Sequence, residues 1–252
     1  MASLQGRHAL VTGGGRGIGR AIAAALTQAG AVVTIAGRND KALAEVVGQG
    51  EAAGHVVADV TDSKAVDGGV RQAVAARGPI DFLVANAGTA KGAPFPKTTP
   101  DMYRDMFAVH VLGMLHPVQA VIGGRTERGF GRIVAIASIA GLKGYANMAP
   151  YSTAKHAMVG LVRSIALETA GSGVTVNAVC PGYVDTDLIG GAIDRMIAKG
   201  MSREAALAHF TSDVPAGRLT RPEEVAEAVV YLCSPNAAAV TGSTLVIGAE
   251  GP

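Results

Sequence analysis

The sequence predicts an α/β protein built on one doubly wound, mainly seven-stranded parallel sheet with helices on both faces. Three observations carry this expectation. Short apolar, β-branched runs recur along the 252 residues, and helix-like segments separate them. Most of the runs lack the strict alternation of a sheet with one wet face, as suits strands buried on both sides. Composition agrees: 49% of residues are hydrophobic, only 17% are charged and 34 are Gly, which describes a large core joined by tight turns.

The first strand is expected at HALVT (8–12), leading through a Gly-rich turn into the helical pattern IGRAIAAALTQAG. AVVTIA (31–36) and HVVA (55–58) give the second and third strands, followed by the helical DSKAVDGGVRQAVAARG. IDFLVA (80–85), GRIVAIAS (131–138), GVTVNAV (173–179) and STLVIG (243–248) supply the remaining four. The helix in RPEEVAEAVVYLCS opens well, with Pro222 at an early position and Glu223 and Glu224 in its first turn. Residues 187–213 break the rhythm by inserting helical material between the sixth and seventh strands. Extra material after a strand's carboxyl end sits over the ligand crevice of such a sheet, so this segment is expected to be a lid. Linkers, repeats and low-complexity stretches are not seen, and 1–252 reads as one domain.

A net charge of +2 without a Lys/Arg run argues against nucleic acid as a partner. Cys180 and Cys233 are too few for a disulfide framework and form no C-x-x-C or Cys/His cluster, so both read as buried thiols and no metal is expected. With no basic-then-apolar leader and no run of about 18 apolar residues, the expectation is a soluble cytoplasmic protein that does not engage a membrane.

Two segments carry chemistry. In VTGGGRGIGRAI, between the first strand and first helix, G-x-G-x-x-G fits no register, because Ile18 holds the third Gly site when Gly13 is the first. G-x-x-x-G-x-G does fit, through Gly13, Gly17 and Gly19. Glycines permit the turn and close backbone approach, and a helix N-terminus offers unpaired N–H groups to a pyrophosphate. In YSTAKHAMVG, Tyr151 and Lys155 lie four apart and so share one helix face. A charged Lys beside a Tyr favours the phenolate and lowers its pKa from about 10. Each motif is weak alone.

Together they resemble the short-chain dehydrogenase/reductase family, and the likeness spans nearly the whole chain. ANAG (85–88) is similar to the family's N-A-G segment after the fourth strand, with Asn86 supporting the sheet and Gly88 near the cofactor. Asp59 in ADVTD matches the acid that meets adenine, Ser138 stands thirteen residues before Tyr151 as in the family, and PGYVDT (181–186) matches the segment that holds the nicotinamide carboxamide. The resemblance implies a Rossmann-type fold and hydride transfer between a nicotinamide and a carbonyl or secondary alcohol. It implies cofactor contacts at Gly13, Arg16, Gly17, Ile18, Gly19, Arg38, Asp59, Val60, Asn86, Ala87, Gly88, Tyr151, Lys155, Pro181, Gly182, Val184 and Thr186. Tyr151 would give the proton as general acid, Ser138 would hydrogen-bond the carbonyl oxygen, and Lys155 would bind the ribose and lower the Tyr151 pKa.

The chain departs from the family pattern in two places. VHVLG (109–113) puts His110 where V-N-x-x-G has its catalytic Asn, and LVIGAEGP replaces the commoner V-D-G-G ending. A neutral imidazole can donate and accept, so His110 either takes over the proton relay or only packs the helix. A cofactor-binding sensor or pseudoenzyme is the alternative class, and the intact Ser138, Tyr151 and Lys155 argue against it.

Gly37 stands where an acid would take the ribose hydroxyls of NAD, and Arg38 and Arg16 offer forks for a 2′-phosphate, so NADP(H) is favoured and NAD(H) remains open. Leu142, Tyr145, Tyr183, Leu188, Ile189, Met196 and Met201 suggest a small-molecule apolar or aryl ketone, or a 3-oxoacyl thioester. Arg195, Lys199 and Arg203 either meet a thioester's phosphates or face water. Met106, Leu115, Met158, Val162 and Ile165 read as apolar outer positions of the fourth and the Tyr151-bearing helices, from which a homotetramer is expected.

Overall fold

The computed structural model describes residues 4–212 and 214–248. Seven strands, β1 (His8–Thr12), β2 (Val32–Gly37), β3 (Gly54–Val57), β4 (Phe82–Ala85), β5 (Gly131–Ile136), β6 (Val174–Pro181) and β7 (Thr244–Ile247), form one sheet in the order β3-β2-β1-β4-β5-β6-β7. Every pairing is parallel. The fold is therefore the doubly wound Rossmann type that the sequence predicts. Strand order reverses between β1 and β4, and the crevice for ligands opens at the carboxyl ends of those strands.

The continuous apolar runs follow from the two-sided cover. Ala9 and Val11 of β1 pack in a core with α1 (Gly17–Gln28), α2 (Asp40–Gly48) and α9 (Pro222–Cys233), whereas Leu10 between them packs in the core on the other face. That second core holds α3 (Ser63–Arg77), α4 (Pro100–Phe107), α5 (Gly113–Arg128) and α6 (Ala149–Glu168). Successive side chains point to opposite faces, so a strand covered on both must be apolar at every position.

Between α4 and α5 the backbone runs through a π-helical segment, Ala108–Leu112. The helical stretch Pro100–Arg128 is long and apolar enough by length and composition to cross a membrane, with a mean hydropathy of 1.5 in its best window. Met106, Met114, Val118 and Val121 face the core, which is why its composition is so apolar. The reading of outer positions is corrected by the same core. Met106, Met158, Val162 and Ile165 are buried against the sheet, and Leu115 is half-buried. Periodicity alone does not tell which side of a helix a second copy would cover.

After β6 the chain forms α7 (Asp187–Ile197) and α8 (Arg203–Thr211), at the place expected of a lid; its last expected residue, Asp213, lies outside the described residues. The two helices share a small core of Ile193, Ala206 and Phe210, with Tyr183, Ile189 and Met196 packed on it. Those last three side chains thus serve the lid's own packing in part, while Leu188 and Met201 stay exposed. Arg195, Lys199 and Arg203 all face solvent.

Candidate active site

Thr12, at the end of β1, ties the crevice together. Its hydroxyl accepts hydrogen bonds from the backbone N–H groups of Asn86 (3.0 Å) and Ala87 (3.1 Å), while the Asn86 Nδ2 donates to the Thr12 carbonyl at 2.9 Å and to the Gly13 carbonyl at 3.3 Å. The loops after β1 and β4 are thereby fixed to each other. Gly13 has φ +68 and Gly17 φ +51. A Cβ on Gly19 would fall within the Gly13 carbonyl oxygen and the Asn86 Nδ2. No side chain caps the start of α1, whereas Asn39, Asp62 and Thr99 cap α2, α3 and α4. An uncapped first turn beside a glycine cradle suits a pyrophosphate, so the residues present fit a dinucleotide.

Two expected contacts meet at the rim. The Arg38 guanidinium lies 3.7 Å from Asp59 Oδ2 and is 80% exposed. Thr61 donates to Asp59 Oδ1 from both its N–H (2.9 Å) and its hydroxyl (2.8 Å), and those bonds hold the carboxyl below its ordinary pKa. Arg16 is also exposed, at the N-cap of α1. Val60 is fixed by its carbonyl, which accepts from His116 Nδ1 at 2.9 Å, and by the bare backbone of Gly113, where a Cβ would meet Val60 Cγ2 at 2.8 Å.

Pro181 ends β6, and Gly182, Val184 and Thr186 follow it along the same crevice. Gly182 donates its N–H to the Ile247 carbonyl (2.9 Å), and Val184 pairs with Thr220. A Cβ on Gly17 would touch Thr186 Cγ2 at 3.3 Å, so the phosphate loop and this segment face each other. Ala249 to Pro252, where the chain departs from the V-D-G-G ending, lie outside the described residues.

Ser138, Tyr151 and Lys155 converge at the carboxyl end of β5. Ser138 follows that strand in extended backbone, and its hydroxyl accepts from Ala140 N–H at 3.1 Å. Pro150 sits in the first turn of α6, so Tyr151 belongs to that turn and Lys155 to the next. The Lys155 Nζ donates to the Ile136 carbonyl at 2.9 Å and lies 5.7 Å from the Tyr151 ring centre. Gly141 lets the loop after Ser138 lie on α6, since a Cβ there would stand 2.8 Å from the Lys155 carbonyl oxygen.

The electrostatics correct one expectation. Burial raises the Tyr151 pKa, and a hydrogen bond with Ser138 only partly opposes it. Burial also lowers Lys155 to about 7. An ammonium that has lost its proton near neutrality offers no charge to a phenol that ionises much higher. In the chain by itself, then, Lys155 does not lower the Tyr151 pKa; both groups favour their neutral forms.

His110 stands at the centre of the π segment, 2% exposed, with its ring edge-on to Tyr151 at 5.4 Å. Burial first, and then the Lys155 charge, lower its pKa to about 3 against the opposing hydrogen bond to Thr89. A titration near pH 6.5 is therefore not a property of this imidazole in the folded chain. The sign for stability follows. The unfolded His binds a proton near pH 6.5 and the folded one does not, so stability is full above about pH 6.5 and falls as pH drops toward 3. Between about pH 6.5 and pH 5 the loss is about 2 kcal/mol. Denaturant unfolding at pH 7 and pH 5 should show that difference shrinking in His110→Asn; equal pH dependence in the two proteins would contradict the burial argument.

Most of the chain is similar to known proteins. Residues 13–249 match the family described as enoyl-(acyl carrier protein) reductase. Acetoacetyl-CoA reductase of Shinella zoogloeoides is 41% identical over 95% of each chain, and 3-oxoacyl-(acyl-carrier-protein) reductase of Vibrio harveyi is 36% identical over 96% of each. The crystal structure of a tryptophan variant of actinorhodin polyketide ketoreductase with NADPH superposes with a TM-score of 0.91 at 37% identity, covering 98% of this chain and 97% of that one.

The chain belongs to the short-chain dehydrogenase/reductase family. It is an oxidoreductase. Within this dehydrogenase/reductase the sequence motifs miss three residues that organise the site: Thr12, the Ile136 carbonyl that holds Lys155, and Thr89. Only Thr12 left a signal, as the polar end of an otherwise apolar strand before the glycines. A main-chain carbonyl leaves none.

Proposed function

We propose that this chain is an NADP(H)-dependent reductase that converts a 3-oxoacyl thioester or a similar apolar ketone to the secondary alcohol, as one domain with α7 and α8 as its lid. The observation that carries the reading is the hydrogen-bonded pair of hydroxyls, Ser138 and Tyr151, beside the buried Lys155 at the crevice. The cofactor, when bound, supplies the hydride to the carbonyl carbon. Tyr151 gives its proton to the carbonyl oxygen, Ser138 donates a hydrogen bond to the same oxygen as charge builds there, and Lys155 keeps an N–H donor beyond the one on Ile136 for a ribose hydroxyl. The exposed Leu142, Leu188 and Met201 supply apolar surface for an acyl chain. The names of the Shinella and Vibrio relatives support thioesters over aryl ketones as the first substrates to try.

Turnover of NADPH and NADH with acetoacetyl-CoA, longer 3-oxoacyl thioesters and aryl ketones tests the reading. We expect NADPH to lead in kcat/KM by about tenfold or more, the worth of one charge-assisted hydrogen bond to the 2′-phosphate. Arg38→Ala should erase much of that lead; an NADH preference in the wild type would sink the cofactor assignment. A sensor that binds cofactor without turnover would give saturation binding and no oxidation with any of these ketones.

The same reading includes a homotetramer in the cytoplasm. Its support is exposed apolar surface: Tyr231 (45%) on α9 with Val246 (41%) on edge strand β7, and, separately, Phe107 (44%) on α4 and Leu167 (79%) near the end of α6. Exposed strand edges and apolar patches are commonly covered by symmetric copies. The two free, buried thiols are in keeping with a reducing compartment. Light scattering at micromolar concentration should give four chain masses, and a monomer mass removes the assembly.

A further inference from the structure

We propose that the buried guanidinium of Arg125, at the amino end of the sheet, holds a small monovalent anion of the size of chloride. The site lies at the opposite end of the strands from the crevice and is independent of the reaction assigned there. Arg125 stands in the last turn of α5, yet its side chain does not turn out to water and is 0% exposed. Gly131, at the start of β5, makes room for it, since a Cβ there would fall on Arg125 Cδ. At that bare position the side chain passes the end of β5. Its charge comes near enough to act on the Cys233 thiol, which belongs to the core on the other face of the sheet. Nε donates to the Asp81 carbonyl at 3.2 Å, whereas Nη1 and Nη2 are buried and have no hydrogen-bond partner among the described residues.

The acceptors nearby are already committed. The Asp81 carbonyl also takes the Arg132 N–H at 3.0 Å, and the Gly131 and Gly173 carbonyls take Arg132 Nη1 at 2.8 Å and 3.1 Å. The Ile80 carbonyl takes Arg128 Nη2 at 3.1 Å. The Asp81 carboxylate is engaged by three other groups: Oδ1 lies 3.6 Å from Arg7 and 3.7 Å from Arg128, and Oδ2 accepts the His8 N–H. Cys233 is no counter-charge, because burial pushes its thiol up to about 12. Arg132 is short of partners as well. It is 4% exposed, its Nε is unpartnered among the described residues, and so is Thr175 Oγ1, its neighbour in the register of β5 and β6. The two Nη groups only donate, so whatever meets them must accept, and a guanidinium out of reach of bulk water needs opposite charge as well. Water would supply the acceptor and leave the charge uncompensated, and burial then lowers Arg125 to about 9. An anion supplies both. No part of Arg125 reaches the surface, so the ligand is a single small ion and not a phosphate or carboxylate carried by another molecule.

An anion that binds only the folded chain stabilises it by mass action. Above its Kd, each tenfold rise in chloride, with sodium gluconate holding the ionic strength constant, should raise the wild-type Tm by about 3–5 °C. Arg125→Met removes the charge and keeps a long side chain for the core, so its Tm should be the same in chloride and in gluconate. General salt effects act on both proteins alike, and the variant subtracts them. Equal chloride responses in the two proteins overturn the proposal, as does a wild-type Tm that chloride leaves unmoved. Crystals of the wild type grown in sodium bromide give a second measurement that does not require the variant to fold. Anomalous scattering at the bromine edge should place a bromide between Nη1 and Nη2 of Arg125. A bromine signal only elsewhere, or a water at those atoms, overturns the proposal. Ketone turnover enters neither readout, so failure here leaves the reading of the reaction standing.

Discussion

Replacing Tyr151 by Phe is expected to cut ketone reduction by about 10² to 10⁴-fold, the usual weight of general acid catalysis, while cofactor affinity stays within a few-fold. The ring is retained and so is its packing against the core of α4, α5 and α6; only the hydroxyl that hydrogen-bonds Ser138 is lost. Steady-state rates and fluorescence titration with NADPH separate the two effects. Retention of most activity would overturn the assignment of the proton donor. The same pair of proteins measures the correction to the phenol's pKa. An ultraviolet difference titration of cofactor-free protein, wild type minus Tyr151→Phe, should place the Tyr151 ionisation above 10, because burial is the largest influence on it and Lys155 is neutral there. A cofactor-free ionisation near neutrality would mean that Lys155 remains charged beside it.

Gly19→Ala should reverse the ordinary sign of a helical Gly-to-Ala change. On an open helix face the substitution stabilises by up to about 1 kcal/mol. Gly68 in α3 is such a position, with nothing within 4 Å of an added Cβ, and Gly68→Ala should gain stability. At Gly19 the Cβ meets the Gly13 carbonyl oxygen and the Asn86 amide, backbone and a side chain held by Thr12, so the strain expected is about 1–3 kcal/mol of lost stability. The loop that must yield is the one expected to hold the pyrophosphate. Cofactor Kd should therefore rise by about 100-fold or more, roughly two lost backbone-to-phosphate hydrogen bonds. Thermal melts with and without NADPH check both parts. Unchanged cofactor stabilisation in Gly19→Ala would show that the cradle is not where the phosphates bind.

Much of the fold was legible because local chemistry and tertiary role coincide in it. Apolar runs too short and too uniform for one wet face require a parallel sheet covered on both sides, and all seven expected strands overlap β1 to β7. The Gly13, Gly17 and Gly19 pattern was legible because Gly13 and Gly17 take left-handed backbone and Gly19 has no room for a Cβ; the pairing of Tyr151 with Lys155 was legible because residues four apart share a helix face. Those are rules of neighbours along the chain. Nothing of that kind reports burial. Met106, Met158, Val162 and Ile165 read as an outer stripe and are core, because a helix pressed between a sheet and other helices is apolar on more than one side. For the same reason, the pKa of Tyr151 was expected in the wrong place and the sequence did not show that His110 is held neutral, since the cost of holding a charge away from water depends on residues distant in sequence, such as Thr89 and Ile136. The sequence alone determined which groups the site contains and where the backbone must be glycine; the tertiary structure decided their protonation, because desolvation is a property of the packed molecule and not of any segment.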